Sequence, residues 1–268
     1  MCISTRLRKY TVLSEVLNRK LSGWEHQYGV SAMSDIPGLR FQDVIDAAYA
    51  KTGRQVVILI DEYDKPIIDN LDRPSVQEYN RSVLQGFYSV LNAKDGCIRF
   101  GFLTGVTKIG KLSVFSGLNN LRDISLLPQY SDICGISGKD LHKYFEESVK
   151  SIAESNSMTE EQCYTKLAEM YDGYHFSKNS EGVYNPFSLL NSLQDMEFNG
   201  YWFETGTPTL LVKVMQRTSF DITKLSEEEA DSTLLSTVNT VFENPIPLFF
   251  QSGYLTITGY DEEFGLYR

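Results

Sequence analysis

The chain has 268 residues, 42% of them hydrophobic and 22% charged, which suits a globular protein of one large or two small domains. Its formal net charge of -10 and pI near 4.9 argue against broad electrostatic capture of nucleic acid or of an anionic membrane. Cysteines 2, 97, 134 and 163 form no C-x-x-C pair, and histidines 26, 142 and 175 show no metal-site spacing. They read as thiols and imidazoles of a protein in a reducing cytosol. The N-terminus is broken by charges every few residues and shows no signal-peptide core, and the apolar run VVILI is far too short to span a bilayer. The expected location is cytoplasmic, with no membrane partner.

Taken in chain order, residues 5–21 place Leu7, Val12, Leu13, Val16, Leu17 and Leu21 at helical spacing. The turn-rich stretch GWEHQYGVSAMSDIPG, residues 23–38, reads as a loop. A second helix is predicted over 40–52, with Phe41, Val44, Ile45, Ala48 and Tyr49 on one face and Gly53 as its stop. VVILI, residues 56–60, is an unbroken aliphatic run, which predicts a central parallel strand buried on both faces. Residues 75–94 return to helical period through Tyr79, Val83, Leu84, Phe87, Val90 and Leu91, and CIRFGFLTG, residues 97–105, is the next strand. This alternation predicts neighbouring parallel strands joined by a right-handed crossover.

The texture changes after about residue 125. Residues 137–171 and 186–217 read as mostly helical, joined by the loop DGYHFSKNSEGVYNP. DITKLSEEEADS, residues 221–232, has the composition of an exposed linker or a solvated helix. PLFFQSGYLTITGYDEEFGLYR predicts a strand, a turn at Asp261–Gly265 and a second strand. The expected division is 1–127, 128–217 and 218–268. No internal repeat is present.

Asp61 and Glu62 directly follow VVILI, in the form of a Walker B box. A parallel strand delivers its C-terminal end to the crevice where ligands bind. There the first acid can hold Mg²⁺ through water, and the second can orient or deprotonate the attacking water. The same string also arises where a strand simply leaves the core and its acids are solvated. Thr104 and Thr107, at the tip of the next strand, are placed to reach the same phosphate.

GFLTGVTKIGKLSVF, residues 101–115, poses a separate question, because Gly105, Gly110 and Lys111 have the spacing of a phosphate-binding loop. Leu112 stands where that loop needs Ser or Thr for Mg²⁺, with Ser113 one step late. The segment also lies about forty residues downstream of the acids, whereas a cradle precedes them. It therefore reads as a glycine-bearing loop after a strand, with a phosphate cradle as the alternative.

VVILIDEYDKPI, RFGFLTGVTKIGKLSVFSGLNNLRDISL, YDGYHF with VYNPFSLL, and YWFETGTPTLLV occur in the order in which they resemble motifs of the AAA-ATPase-like family of bacterial P-loop proteins. Members of that family often carry a PD-(D/E)XK nuclease-like domain. The resemblance implies an α/β fold with a P-loop NTPase-like parallel sheet, incomplete here, then a helical lid-like region and the start of a winged-helix-like hairpin. It implies ATP and Mg²⁺ as cofactors, with Asp61 on Mg²⁺ through water, Glu62 activating water and Thr104 sensing the γ-phosphate. Asn119, Asn120 and Arg122 would form a polar cluster facing nucleotide or a neighbouring subunit, while the YDGYHF and VYNPFS aromatics read as core.

The chain departs from the family in two places. No G-x-x-x-x-G-K occurs in residues 1–55, and none of the 14 lysines follows an acid by two positions, as a nuclease signature needs. The chain thus looks like a family member cut at both ends, or a degenerate short paralogue. The expectation is a chain inactive as an ATPase for lack of a Walker A. The alternative is a non-catalytic interaction module, with a client protein or a second copy as partner and no support for nucleic acid.

Overall fold

The structure is a computed structural model and describes residues 2–4, 13–109, 114–202, 212, 214–216, 218, 228–236 and 244–268. The described residues up to Arg122 form one compact unit and those from Asp123 a second.

The first unit is built on three parallel strands, β1 (Cys2–Ser4), β2 (Val56–Asp61) and β3 (Ile98–Leu103), in the order β1-β2-β3. Ile58 pairs with Gly101 and Ile60 with Leu103, so the expected parallel neighbours are present. Two helices, α1 (Leu13–Tyr28) and α2 (Pro37–Thr52), separate β1 from β2. Between β2 and β3 lie the short α3 (Lys65–Ile68), then α4 (Pro74–Tyr88) and α5 (Val90–Ala93). Helix α2 starts on a proline, whose missing N–H costs nothing in a first turn, and stops at Gly53. That glycine has φ 65° and donates its N–H to the Tyr49 carbonyl, as its place in the sequence predicts.

Four expectations change. Residues 23–28 are helical rather than looped, and the chain turns only at Gly29, where φ is 74°. The extra turn carries Glu25, whose buried carboxylate takes the Arg40 Nε at 2.7 Å and a terminal guanidinium nitrogen at 2.5 Å. Tyr49 lies at the exposed edge of α2, while Phe41 stacks on Phe87 of α4 at 4.5 Å. VVILI alternates instead of being buried throughout: Ile58 and Ile60 are buried, whereas Val57 and Leu59 are 42% and 39% exposed. Phe100 of β3 is exposed as well and stacks on Phe102. A sheet whose order runs in one direction receives its right-handed crossovers on one side, so helices cover a single face. The fourth change is that the segment PLFFQ is helical rather than extended. Leu7 and Val12 of the first predicted helix lie outside the described residues.

In the second unit, β4 (Ile136–Ser137) pairs antiparallel with β5 (Val183–Tyr184). Helices α6 (Gly138–Tyr144), α7 (Glu146–Ser155), α8 (Glu160–Tyr171) and α9 (Pro186–Asp195) pack around Leu141, Val149, Ile152, Cys163, Leu167 and Leu189. Thr159 and Gln162 form a capping box that starts α8. A second cluster, with Leu235, Phe250, Ile257 and Tyr267, joins α10 (Ser232–Ser236) and α11 (Ile246–Gln251) to the predicted hairpin. Its strands are β6 (Tyr260–Asp261) and β7 (Leu266–Tyr267), with Gly265 at φ 68° in the turn. Both clusters lie in the second compact unit. Most of YWFETGTPTLLV, and residues 221–227 of the acidic stretch, lie outside the described residues. No helix among the described residues is long and apolar enough to cross a membrane.

Candidate functional site

Because β2 and β3 are parallel neighbours, their C-terminal tips lie side by side, and the residues just beyond them meet. The ladder runs one step past β3: the Thr104 N–H donates to the Ile60 carbonyl at 2.8 Å, and the Tyr63 N–H to the Thr104 carbonyl at 2.9 Å. The Thr104 hydroxyl donates to Asp61 Oδ1 at 2.5 Å and accepts the Glu62 N–H at 3.3 Å. Asp61 and Glu62, chosen from one cue in the sequence, and Thr104, chosen from another, are thus joined by hydrogen bonds. Asp61 is exposed, and the other two are half-buried. Glu62 has φ 54°, a left-handed conformation that costs a non-glycine residue roughly 1–3 kcal/mol. That turn sends Tyr63 and Asp64 inward while the acids stay at the tip.

Asp64 is the residue that sequence reasoning missed. An acid just before Lys-Pro reads as a helix N-cap, yet its side chain makes no cap hydrogen bond to α3. It crosses instead to the loop after β3, accepting the Val106 N–H at 3.0 Å, the Thr107 N–H at 2.6 Å and the Thr107 hydroxyl at 2.8 Å. The carboxyl is fully buried, and burial pushes its pKa up to about 6 against the opposing pull of the Thr107 and Val106 hydrogen bonds. Burial likewise raises the Tyr88 hydroxyl, with the nearby Asp64 charge adding to it. Thr107, expected to reach the phosphate, is buried and committed to Asp64, so it is not part of the exposed tip.

Gly105 now has a reason that is not phosphate binding. A Cβ there would sit 2.6 Å from Tyr63 Cε1, 2.8 Å from the Thr107 carbonyl oxygen and 3.0 Å from Asp64 Oδ1. Of the described residues after it, Ile109 and Val114 are buried, and the Phe115 ring lies 4.8 Å from that of Tyr63. Gly110, Lys111, Leu112 and Ser113 lie outside the described residues. Gly105→Ala should therefore destabilise the first unit by about 1–3 kcal/mol, the range for overpacking a closed site. Urea unfolding checks it, and an unchanged midpoint would show that the loop gives way freely.

The cluster at 119–122 does not join this tip. The Asn120 side-chain amide donates to Asp95 Oδ1 at 3.1 Å, and Asp95 opens the short 3₁₀ turn, Asp95–Cys97, that leads into β3. Asn120 therefore lies at the opposite end of the strand, which at about 3.3 Å per residue is nearly 20 Å from Thr104. Asn119 and Arg122, its exposed neighbours, run along the α4–α5 side, where Asn92 reaches the Gly117 carbonyl. The cue was composition alone, and a chain that doubles back defeats it. In the second unit, Tyr171 and Tyr184 are buried and Tyr174 bonds the Phe250 carbonyl at 2.6 Å, so these three pack as core, whereas Phe187 of VYNPFS is exposed.

The donors at the tip are carboxylate and hydroxyl oxygens, the set that suits a hard cation. Among the described residues no group of three or more His, Cys, Asp or Glu gathers as a metal site. A carboxylate beside a hydroxyl fits Mg²⁺, which keeps most of its own waters, better than a cation that demands a protein cage.

An exposed Asp61, a half-buried Glu62 and the Thr104 hydroxyl thus meet at the C-terminal ends of adjacent parallel strands in an α/β unit. Residues 3–115 match the model of the family described as Predicted AAA-ATPase. The chain is also 39% identical over 233 residues to an uncharacterized protein in the vnfD 5′ region of Azotobacter chroococcum mcd 1. That similarity covers 87% of this chain but only 43% of the relative, so the chain spans less than half the length of the curated relative it matches. No solved structure matches.

Proposed function

We propose that the first unit is a P-loop NTPase-like module whose Asp61, Glu62 and Thr104 serve Mg²⁺–ATP. The hydrogen-bonded meeting of these three residues at the tips of β2 and β3 carries the reading. Asp61 would hold Mg²⁺ through water, Glu62 would orient and deprotonate the attacking water, and Thr104 would sense the γ-phosphate. Bound Mg²⁺ supplies charge neutralisation for the phosphates. In this reading the protein works in the cytoplasm and Asn119 and Arg122 take no part in nucleotide binding.

Residues 1–268 alone are proposed to be incompetent in turnover. Phosphoryl transfer depends on positioning the triphosphate and stabilising its charge, which is the work of a cradle. The close packing around Gly105 and the burial of Thr107 and Ile109 support reading residues 105–109 as structural. A second reading, an interaction module that binds a client or another copy, is favoured by the uncovered apolar face of Val57, Leu59 and Phe100. The test is ATP binding and turnover by residues 1–268, by a longer product that includes upstream-encoded residues, and by Glu62→Gln in each. Turnover only in the longer product, abolished by Glu62→Gln, is expected. Micromolar binding and Glu62-dependent turnover by residues 1–268 would overturn the incompetence. No turnover in either would favour the interaction module.

A further inference from the structure

We propose that Asp64 is a positioning residue for the strand-tip group, holding the 105–107 turn so that Thr104 stays on Asp61. The proposal rests on reading Asp61, Glu62 and Thr104 as the reacting tip. Thr104 is fixed on one side by the sheet ladder, through Ile60 and Tyr63. On the other side the chain would be free to swing, and there Asp64 accepts the Val106 N–H, the Thr107 N–H and the Thr107 hydroxyl. Tyr63 adds a fourth tie by donating its hydroxyl to the Thr107 carbonyl at 3.2 Å. Gly105 lets the turn approach this closely.

The choice of a carboxylate identifies the role. Burying a charge is costly, and the Asp64 side chain is fully buried without making a cap hydrogen bond to α3. An ionised carboxylate is acceptor-only at both oxygens, so it alone meets three donors converging from two directions. Asparagine would turn an N–H toward an N–H. Asp64 also belongs to the same short box as Asp61. The clasp therefore ties the backbone that carries the acid to the loop that carries the hydroxyl. Sites that share a cation or a phosphate need such oxygens held to within about 0.5 Å, by residues locked in place themselves.

The test uses the whole chain and two variants, Asp64→Asn and the milder Thr107→Val, which removes one donor and keeps the shape. Amide exchange is followed at Tyr63, Val106 and Thr107 together with the Thr104 methyl resonance. Mn²⁺, as a probe of the tip, is titrated into each protein in wild-type and Thr104→Val backgrounds. The expected result is exchange at least tenfold faster at those amides, with a displaced Thr104 methyl and unchanged exchange at Leu17 and Ile45. Mn²⁺ affinity should fall several-fold in the Asp64 variant, with that fall largely absent when Thr104 is already Val. Uniform loss of protection from Leu13 to Leu103 would overturn the proposal, as would unchanged exchange at Val106 and Thr107. An equal fall in Mn²⁺ affinity in both backgrounds would overturn it too. If the wild-type chain binds no Mn²⁺, the reading of the tip as a cation site fails, and the exchange pattern with the Thr104 methyl decides the clasp by itself.

Discussion

Replacing Arg40 by methionine is expected to lower the unfolding free energy of the first unit by roughly 3–5 kcal/mol, the cost of stranding a buried charge. Glu25 and Arg40 are both almost fully buried and meet through two hydrogen bonds, of 2.7 and 2.5 Å. A terminal guanidinium nitrogen of Arg40 also donates to the Ser22 hydroxyl at 2.9 Å, so the fork is satisfied from α1 alone. The Glu25 partnership raises the already high Arg40 pKa, and the guanidinium remains charged throughout the working range. Removing it leaves a carboxylate without water or cation. Replacing both residues, Glu25→Leu with Arg40→Met, should recover most of the loss, because an apolar pair of similar volume has no desolvation to offset. Urea unfolding of the three proteins reads both effects. A single-variant loss below about 1 kcal/mol, the value of an exposed pair, would show that the pair is hydrated in solution.

The second large effect is a pH dependence specific to Asp64. Burial lifts its carboxyl from 3.8 to about 6 although Thr107 and Val106 hydrogen-bond to it. The folded chain therefore binds this proton more tightly than the unfolded chain, and protonation favours the fold. The contribution is fully present below pH 3.8 and is lost as pH rises through 6. Over that window it amounts to about 3 kcal/mol. Comparing the wild-type chain with Asp64→Asn cancels the other carboxylates, and the wild type should gain about 2.4 kcal/mol relative to the variant between pH 8 and pH 4. Equilibrium unfolding at a series of pH values gives the difference directly. A flat difference would mean that Asp64 keeps an ordinary carboxylate pKa and that water reaches it.

Much of the first unit is legible in the residues alone. The helical spacing of Phe41, Val44, Ile45 and Ala48 ends at a glycine, and the observed helix ends there with a left-handed cap. VVILI and CIRFGFLTG, separated by a helical period, become parallel neighbours with polar tips, so Asp61, Glu62 and Thr104 are found together. These features are local in kind: periodicity, a stop residue, the polarity of a strand end. Contacts from elsewhere in the fold do not reverse them.

What the residues could not disclose depends on which side of an element meets which neighbour. Glu25 looks like a loop acid until Arg40 of the next helix is placed beside it, and that pairing extends α1 by a turn. VVILI looks buried on both faces, but helices on one side of the sheet leave Val57 and Leu59 exposed. Asn120 follows β3 in sequence, yet the chain returns along α5 and leaves it beside Asp95, at the far end of β3. Asp64 stands three residues from Asp61, with the same chemistry written in the sequence. The left-handed turn at Glu62 separates them, leaving one carboxylate at the solvent-facing tip and folding the other under three hydrogen-bond donors.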